Sequence, residues 1–260
     1  MTIFPTEKTN SIIEVDRLSA GYGDALILDG VSFSVFPGEI FIILGGSGCG
    51  KSTLLRHIIG LETPRSGTIH IDGEIIPSAD GTVSSAVLQK IGVLFQSSGL
   101  IGSMTLAENV ALPIRQYLDL RERSIRDMVS LKLRMVGLEG YENHLPSQLS
   151  GGMKKRAGLA RALALNPKIL FLDEPSAGLD PITSAGIDRL ILRINESMGT
   201  TMVIVTHELD SIMALAKRVI MLDKAARGII AEGDPHRLKA ESEHPIVRQF
   251  FHRQAGNETR

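Results

Sequence analysis

The chain has 260 residues, among them 28 Lys and Arg, 29 Asp and Glu, and a single cysteine. This length can bury a substantial core within one domain, or within one domain that carries a subdomain. The balanced charge and the lack of a long basic run argue against nucleic acid as a partner, because a nucleic-acid binder needs a basic surface.

Residues 1–11 are polar and lack the basic and apolar blocks of a signal peptide, so we expect the protein to stay in the cytoplasm. The lone cysteine fits a reducing compartment, since it has no partner for an internal disulfide. No apolar run in the sequence reaches the roughly 20 residues that span a bilayer. If the chain serves transport, another polypeptide must form the membrane path.

Apolar and polar residues alternate between residues 12 and 40, and glycines separate the runs. Such alternation favours strands with one buried face, which predicts a small antiparallel sheet. The stretch Ser66–Gly73 predicts another strand between turns.

A phosphate-binding loop is predicted between the strand-like run Ile40–Leu44 and the helix-like run Leu54–Ile59. The intervening residues fit the pattern G-x-x-x-x-G-K-[ST], whose backbone amides cradle phosphates. In such a loop Lys51 reaches the β- and γ-phosphates and Ser52 ligates magnesium. The candidate ATP-binding residues here are Gly45, Gly46, Ser47, Gly48, Cys49, Gly50, Lys51, Ser52 and Thr53.

Cys49, the only cysteine of the chain, lies inside this loop. We expect alkylation of its thiol to block ATP binding, and bound ATP to protect it. The alternative, equally open at this point, is that Cys49 is only a small filler residue.

The pattern becomes helical between about residues 97 and 160, which predicts an inserted helical subdomain. Its apolar residues recur every three or four positions, as in Ile125, Met128, Leu131 and Met135.

This region ends in the pentapeptide Leu149–Met153, which precedes a run rich in helix formers. Ser150 is well placed to cap the helix, and Gly151 and Gly152 would let the backbone approach a phosphate. The free amides of a helix start, backed by the helix dipole, form an anion site. By itself the pentapeptide is also compatible with a plain helix start.

A buried strand is predicted at Ile169–Asp173, because an unbroken apolar run here ends in two carboxylates. In the phosphate-loop template Asp173 holds magnesium through water, and Glu174 polarises the attacking water. A helix with Ile187, Leu190 and Ile191 follows, and then a strand at Thr201–Val205. This alternation of strands and helices predicts a parallel sheet.

The chain resembles the nucleotide-binding subunit of ABC transporters over residues 12–240, with residues 241–260 as a C-terminal extension. The resemblance rests on the phosphate loop, the pentapeptide at 149–153, the acidic strand end at 173–174 and four further motifs in the family's order. It implies an α/β P-loop NTPase of the ABC type, with a mixed central sheet, a small antiparallel β subdomain and an inserted α-helical subdomain at about 97–160.

The resemblance also implies roles for further residues. Tyr22 would stack on adenine, Gln96 would sense magnesium and the membrane partner, Asp180 would cross a dimer interface, and His207 would contact the γ-phosphate. Glu174, His207 and Lys51 would be the catalytic residues, and Ser52, Gln96 and Asp173 the magnesium residues. The implied ligands are ATP and Mg²⁺, and Ser150, Gly151 and Gly152 would complete the ATP site of a second copy of the chain.

Several stretches resemble the ATPases of bacterial Mla and Mce lipid transporters: Leu94–Leu100, Met104–Pro113, Leu149–Met153, Asp173–Ser184 and Pro245–Phe250. Met153, where the wider family usually has glutamine, is read as a mark of this branch. The resemblance implies movement of phospholipids or other hydrophobic molecules between membranes. Its partners would be an integral membrane permease, a periplasmic Mce-domain protein and a small STAS-domain subunit, at the cytoplasmic face of the bacterial inner membrane.

Three alternatives remain open from the sequence. The first is an importer of small polar solutes such as amino acids. The second is a soluble ABC ATPase without a transport role, which usually carries a long coiled-coil insertion or a second cassette. The third is a P-loop phosphotransferase, which would have no use for the pentapeptide at 149–153.

Overall fold

The computed structural model describes residues 11–77 and 81–253, which fold into two sheets flanked by helices. The strands are β1 (Ile13–Tyr22), β2 (Ala25–Val35), β3 (Ile40–Gly45), β4 (Ser66–Ile71), β5 (Glu74–Ile75), β6 (Ile91–Leu94), β7 (Ile169–Asp173), β8 (Thr201–Val205), β9 (Arg218–Asp223) and β10 (Gly228–Gly233). The helices are α1 (Lys51–Ile58), α2 (Ser85–Lys90), α3 (Leu106–Tyr117), α4 (Glu122–Met135), α5 (Gly151–Ala162), α6 (Pro181–Met198), α7 (Leu209–Leu215), α8 (Pro235–Glu241) and α9 (Pro245–Phe251).

The larger sheet has the strand order β10-β9-β3-β8-β7-β6, and the strands from β9 to β6 are parallel. The smaller sheet is antiparallel, with the order β2-β1-β4-β5. The predicted strand at Ser66–Gly73 is β4 and belongs to this sheet. Both sheets confirm the predicted fold class.

The edge strand β10 runs antiparallel to β9. The alternation of strands and helices alone predicted a parallel sheet, whereas the family resemblance implied the mixed sheet that is found. Only residues 224–227 connect the two strands. So short a turn can join antiparallel neighbours, whereas a parallel pair needs a crossover of a dozen or more residues. The central sheet is therefore mixed.

The central strands separate two hydrophobic cores. Along β3, Ile42 and Leu44 face one core and Phe41 and Ile43 face the other, since side chains of a strand alternate between faces. The first core holds buried residues of α3 to α7 and α9, and the second holds those of α1 and of the smaller sheet. Burial on both faces explains the continuous apolar runs of β3, β7 and β8.

The predicted helical subdomain is present as α3, α4 and α5. Of the apolar residues whose spacing predicted α4, Ile125 is buried and Leu131 is 44% exposed, while Val129 and Leu133 complete the buried face. Each residue turns an α-helix by about 100°, so two steps of three residues carry Leu131 about 120° away from Ile125. Steps of four residues, from Ile125 to Val129 and on to Leu133, turn by only about 40° each and keep the buried side chains on one stripe.

The C-terminal extension packs on its own domain through α9, whose residues Val247 and Phe251 are buried in the first core. Arg253 also pairs with Asp210 of α7 at 3.0 Å. The predictions for residues 1–10 and 254–260 lie outside the described residues. Within the described part of the chain, none of the helices is long and apolar enough to cross a membrane.

Candidate nucleotide site

The sequence-predicted site residues meet along one edge of the larger sheet. The carboxyl ends of parallel strands lie at the same edge, and β3, β8, β7 and β6 are consecutive neighbours. The loops that follow them carry Lys51, His207, Glu174 and Gln96, in that order across the sheet. Clefts outside the carboxyl ends of parallel strands are where ligands bind in open α/β sheets.

The phosphate-binding loop connects β3 to α1, as predicted. Lys51 opens the helix, and its Nζ donates to the carbonyl oxygens of Gly45 (2.8 Å) and Gly46 (3.0 Å). The ammonium group therefore lies over its own loop. No described side chain caps α1, which leaves the first amides of the helix available to an anion.

Two glycines of the loop are required by its geometry. Gly45 has φ of +148°, and a Cβ there would lie 2.4 Å from the carbonyl oxygen of Leu222 on the neighbouring strand β9. Gly50 has φ of +102°, and its Cβ would press on the side chains of Ile27 and Leu28. Both positions combine a left-handed backbone with a close approach, which only glycine tolerates.

Cys49 points away from the loop opening and into the second core, where it is buried. Burial raises the pKa of its thiol, against the lowering effect of the nearby Lys51 charge. Alkylation requires the thiolate, so this setting makes the thiol less reactive. The surroundings favour the filler role of Cys49, while its amide remains part of the phosphate loop.

Glu174 and His207 form the most direct side-chain contact of the site. Nδ1 of His207 donates to Oε1 of Glu174 at 2.6 Å. The two residues meet because β7 and β8 are paired with Asp173 opposite Val205. Glu174 itself is buried and has φ of +48°, a left-handed conformation that is rare for residues with a side chain.

The two carboxylates provide oxygens that suit a magnesium ion. Oδ1 of Asp173 and Oε2 of Glu174 are buried without a hydrogen-bond partner among the described residues. Burial raises the pKa of Asp173, and the neighbouring Glu174 charge raises it further. Hard divalent cations prefer carboxylate oxygens, so these groups fit Mg²⁺ beside the phosphate loop.

Tyr22 lies at the end of β1, with its ring 48% exposed. Its hydroxyl donates to Oε1 of Glu62 at 3.0 Å, and Arg56 of α1 donates to the same oxygen at 3.3 Å. These contacts bring Tyr22 beside the helix that follows the phosphate loop. An exposed ring at this place is free to stack on a planar base.

The pentapeptide at 149–153 starts α5, and Oγ of Ser150 accepts from the amide of Met153 at 3.3 Å. The predicted cap is confirmed. Gly152 has a further reason to be glycine, because a Cβ there would lie 2.5 Å from Cγ2 of Thr183 in α6. Gly151 is exposed at the start of the helix and remains accessible to a ligand.

The pentapeptide and the phosphate loop are carried by opposite faces of the larger sheet. Helix α5 packs with α3, α4 and α6 in the first core, whereas α1 packs in the second core against β1 and the sheet. Among the described residues, no hydrogen bond or ion pair joins residues 149–153 to the phosphate loop. That the pentapeptide meets a phosphate held by a second copy of the chain stays a prediction.

Asp180 caps α6 and is exposed. Its carboxylate accepts from the amides of Ile182 (3.1 Å) and Thr183 (3.0 Å) and from the Thr183 hydroxyl, which holds its pKa below the usual range. The structure thus gives Asp180 a role within its own chain. Its role across a dimer interface stays a prediction.

Sequence reasoning missed Lys155 of α5, whose Nζ donates to the carbonyl oxygens of Gln96 (2.7 Å) and Glu174 (2.6 Å). The sequence did contain part of the pattern that could have identified Lys155. Lys155 shares a helix face with Gly152, Gly158 and Leu159, which are all buried or tightly packed. A charged residue on an otherwise inward face is unusual, since buried charges are rare without partners.

Comparison with known families decides the identity of this fold and site. A family model described as ABC transporter matches residues 28–177, which include Lys51, Gln96, Ser150 and Glu174. The chain belongs to the ABC transporter family. It is an ABC-type ATPase, as the sequence predicted, and its solved relatives are ATP-binding cassettes.

Several relatives of this ABC ATPase carry transport names. It is 41% identical over 239 residues to the probable ribonucleotide transport ATP-binding protein mkl of Mycobacterium tuberculosis, covering 92% of this chain. It is 40% identical over 248 residues to the methionine import ATP-binding protein MetN of Brucella abortus, covering 95% of this chain. The matched region spans 66% of each of these two relatives, so their full activities do not transfer directly.

Solved cassettes share the fold along most of their length. The cbiO1 protein of Clostridium perfringens, part of the ABC transporter complex cbiONQ, superposes with a TM-score of 0.80 at 32% identity, covering 89% of this chain and 91% of that one. The ATP-binding cassette MJ0796, solved as a dimer in a post-hydrolysis state with ADP and phosphate, gives a TM-score of 0.75 at 32% identity, covering 85% of this chain and 98% of that one.

Proposed function

We propose that this ABC ATPase hydrolyses ATP at two composite sites of a homodimer and so drives a membrane transporter. The proposal is supported by the packing of α1 and α5 in different hydrophobic cores, and by the solved cassette MJ0796, which is a dimer at 32% identity to this chain. ATP held by Lys51 of one copy would meet Ser150, Gly151 and Gly152 of the other copy. Closure on ATP then depends on two chains.

The chemistry within one half-site follows from the contacts at the sheet edge. Glu174 orients the attacking water, and the 2.6 Å contact with His207 fixes the direction of its carboxylate. Lys51 and His207 stabilise the charge that develops on the phosphate oxygens. Ser52 and Asp173, together with Gln96, would hold Mg²⁺, which neutralises phosphate charge when bound.

An apolar groove along the edge strand β6 supports docking of a membrane permease. The groove has a volume of about 410 Å³ and lies between β6, α3 and the end of α5. Its lining includes Val93, Leu112, Pro113 and Tyr117. Leu112 is 41% exposed, so a partner that fills the groove would remove its apolar surface from water. We therefore place the permease contact here, at the cytoplasmic face of a bacterial inner membrane.

For the cargo we propose phospholipid or another hydrophobic molecule that moves between membranes. The support is the resemblance of the stretches named above to the ATPases of Mla and Mce systems. The proposed further partners are a periplasmic Mce-domain protein and a STAS-domain subunit.

A second candidate is an importer of small polar solutes. The methionine importer subunit MetN is 40% identical over 248 residues, nearly as similar as the mycobacterial relative, and supports this candidate. The catalytic residues do not distinguish the two, because hydrolysis is common to both.

Gentle solubilisation and capture of the tagged chain tests the partner and the cargo together. We expect an integral permease, an Mce-domain protein and bound phospholipid to co-purify. A soluble solute-binding protein in their place would establish the importer, and retention of no membrane protein would contradict the transport role.

Leu112→Asp tests the docking groove, and Leu131→Asp is its matched control. Both leucines are exposed to a similar degree, 41% and 44%, so neither substitution disturbs the core. Leu131 lies on α4, outside the groove lining. We expect Leu112→Asp alone to release the permease while ATP binding persists. Equal retention of the permease by both variants would refute this docking site.

A further inference from the structure

Lys155 connects α5, the helix that begins in the pentapeptide at 149–153 and is called the signature helix below, to the loops that follow β6 and β7. Its side chain is 7% exposed, and its Nζ donates to the carbonyl oxygens of Glu174 at 2.6 Å and Gln96 at 2.7 Å. These carbonyls follow β7 and β6, which are neighbours in the sheet. A lysine ammonium has three donors and no acceptor, so two carbonyl oxygens suit it well. One side chain thus connects three separate elements.

The burial of this charge has a physical cost. Burial lowers the pKa of Lys155, and the charges of Asp173 and Glu174 oppose that shift. The two carbonyl oxygens offset this cost in part, since no carboxylate of the described residues forms an ion pair with Nζ. A charged residue kept at such a place indicates a task beyond packing.

The strained backbone of Glu174 shows what that task is. Glu174 is held at φ of +48° with its amide donating to the carbonyl of Val205 at 2.8 Å. Lys155 holds the other polar group of the same residue, the carbonyl oxygen. A left-handed non-glycine residue persists only where the surrounding contacts fix it. Lys155 and Val205 provide that fixation from two sides.

Helix α5 is also clamped to the segment that follows Gln96. Arg161 donates to the carbonyl oxygen of Gly99 at 2.6 Å. Gly158 allows the close approach, since a Cβ there would lie 2.6 Å from Cδ1 of Leu94 and 2.9 Å from the carbonyl oxygen of Ser98. The segment therefore has little freedom to move independently of α5.

We propose that Lys155 is a positioning residue for ATP hydrolysis, which sets the backbone of Glu174 against that of Gln96 and ties both to α5. This role rests on the proposed function of Glu174 in orienting water. Any displacement of α5 would be passed by Lys155 to the backbone that carries the catalytic carboxylate. The orientation of that carboxylate then depends on the position of the signature helix.

Lys132 provides a matched control within the described part of the chain. It is also a buried lysine of the helical subdomain, its pKa is likewise lowered by burial, and its Nζ donates to Oδ1 of Asn166 at 2.5 Å. Asn166 precedes β7, whereas Glu174 follows it, so Lys132 lies at the far end of that strand. Loss of either lysine removes a buried charge, but only Lys155 contacts the catalytic edge.

The test compares Lys155→Met, Lys155→Arg and Lys132→Met in the full-length chain by steady-state ATPase kinetics and thermal unfolding. We expect Lys155→Met to lower kcat roughly 10- to 100-fold with KM for ATP within about twofold of wild type, since misplacing a catalytic group by 1 Å has effects of this size. Lys155→Arg should recover most of the rate, because its guanidinium can donate to both carbonyls. Lys132→Met should change the unfolding temperature and leave kcat within about twofold.

Two outcomes would overturn the proposal. The first is a kcat for folded Lys155→Met that equals the wild-type value, and the second is a loss that appears in KM instead of kcat. If Lys155→Met does not fold, Lys155→Ala replaces it, because alanine also lacks a donor for the two carbonyls, and a folded Ala variant with wild-type kcat contradicts the proposal in the same way. The proposed hydrolysis at Glu174 would fail separately, through wild-type turnover in Glu174→Gln.

Discussion

The two candidate half-sites of this chain consist of different kinds of chemical groups. The half around Lys51 holds charged and strained groups: an ammonium over its own loop, a carboxylate pair with unpartnered oxygens and a left-handed Glu174. The half around Ser150 holds a capped helix start and two glycines, with no titratable side chain among residues 149–153. The first half has the groups for bond breaking, and the second has only groups that recognise phosphate.

Under the proposed composite site, this difference explains how one chain can carry both halves and still need a partner. The charged half lies at the carboxyl edge of the sheet, next to the α1 face, while the α5 half belongs to the opposite core. Substitutions in the charged half should therefore abolish the reaction in a folded chain. Substitutions around α5 should act on closure and packing.

The largest effect is expected from Glu174→Gln. The amide keeps the size of the side chain and its place beside His207, but it cannot take a proton from water. We expect turnover to fall by at least about 100-fold with ATP binding retained, since a general base contributes that much. Phosphate release and nucleotide binding measure the two effects. Wild-type turnover would mean that another group activates the water.

Lys51→Ala should act on binding first. It removes the cation that lies over Gly45 and Gly46, and a hydrogen bond to a charged group contributes about 1.5–3 kcal/mol, equal to roughly a 10- to 100-fold loss of ATP affinity. Equilibrium binding of a fluorescent ATP analogue measures this loss of affinity. Lys168→Ala is the control, because Lys168 pairs with Asp72 away from the loop at 2.9 Å. Similar affinities in the two variants would contradict the assignment.

Gly158→Ala tests whether the α5 half depends on packing. The added methyl group would meet Leu94 and the Ser98 carbonyl at 2.6 and 2.9 Å, and overpacking of this kind costs about 1–3 kcal/mol. We expect a lower unfolding temperature, measured by circular dichroism. Gly102→Ala is the control, since a Cβ at Gly102 has open space around it. Equal stability would show that α5 can shift away from the Gln96 segment.

The smallest effect concerns Asp188, a buried carboxylate outside both half-sites. Burial raises its pKa and nearby Glu208 adds to the rise, while the Ser211 hydroxyl, donating at 2.8 Å, lowers it. The folded state therefore holds the proton more tightly than the unfolded state. Stability is lost as the pH rises above the unfolded pKa of about 4 and through the folded value.

Asp188→Asn keeps the acceptor for Ser211 and removes this penalty. We expect the variant to unfold at a higher temperature than wild type at pH 7, with the advantage vanishing near pH 4. Thermal unfolding over this pH range measures the difference. An advantage that grows toward acidic pH would reverse the sign and contradict the assignment.

The sequence predicted those parts of the molecule that depend on local patterns. The phosphate loop, the acidic end of β7 and the cap at Ser150 are each defined by consecutive residues, so their elements were predicted closely. The mixed sheet and both subdomains followed from strand and helix periodicity together with the family resemblance. The functional roles of the site residues remain predictions.

The features that the sequence did not predict depend on contacts between distant residues. Lys155 meets Gln96 across 59 positions of the chain, and no spacing rule connects them. The need for glycine at position 152 comes from the close approach of Thr183 in another helix. The burial of the Cys49 side chain depends on where the second core lies. The exposure of Leu131 was not predicted, because successive three-residue steps from Ile125 to Met128 and Leu131 drift around the helix and away from its buried face.

ATP-dependent dimerisation of Glu174→Gln, with and without Gly151→Asp, tests the composite site most directly. Asp at Gly151 meets only the flexible Cδ2 of Leu179 at 3.2 Å and suits a helix start, yet its charge repels a phosphate. Light scattering should show a dimer with ATP for Glu174→Gln and for Glu174→Gln with Gly151→Ala. Glu174→Gln with Gly151→Asp should bind ATP as a monomer. A dimer in that variant, or a monomeric Glu174→Gln at saturating ATP, would contradict the account.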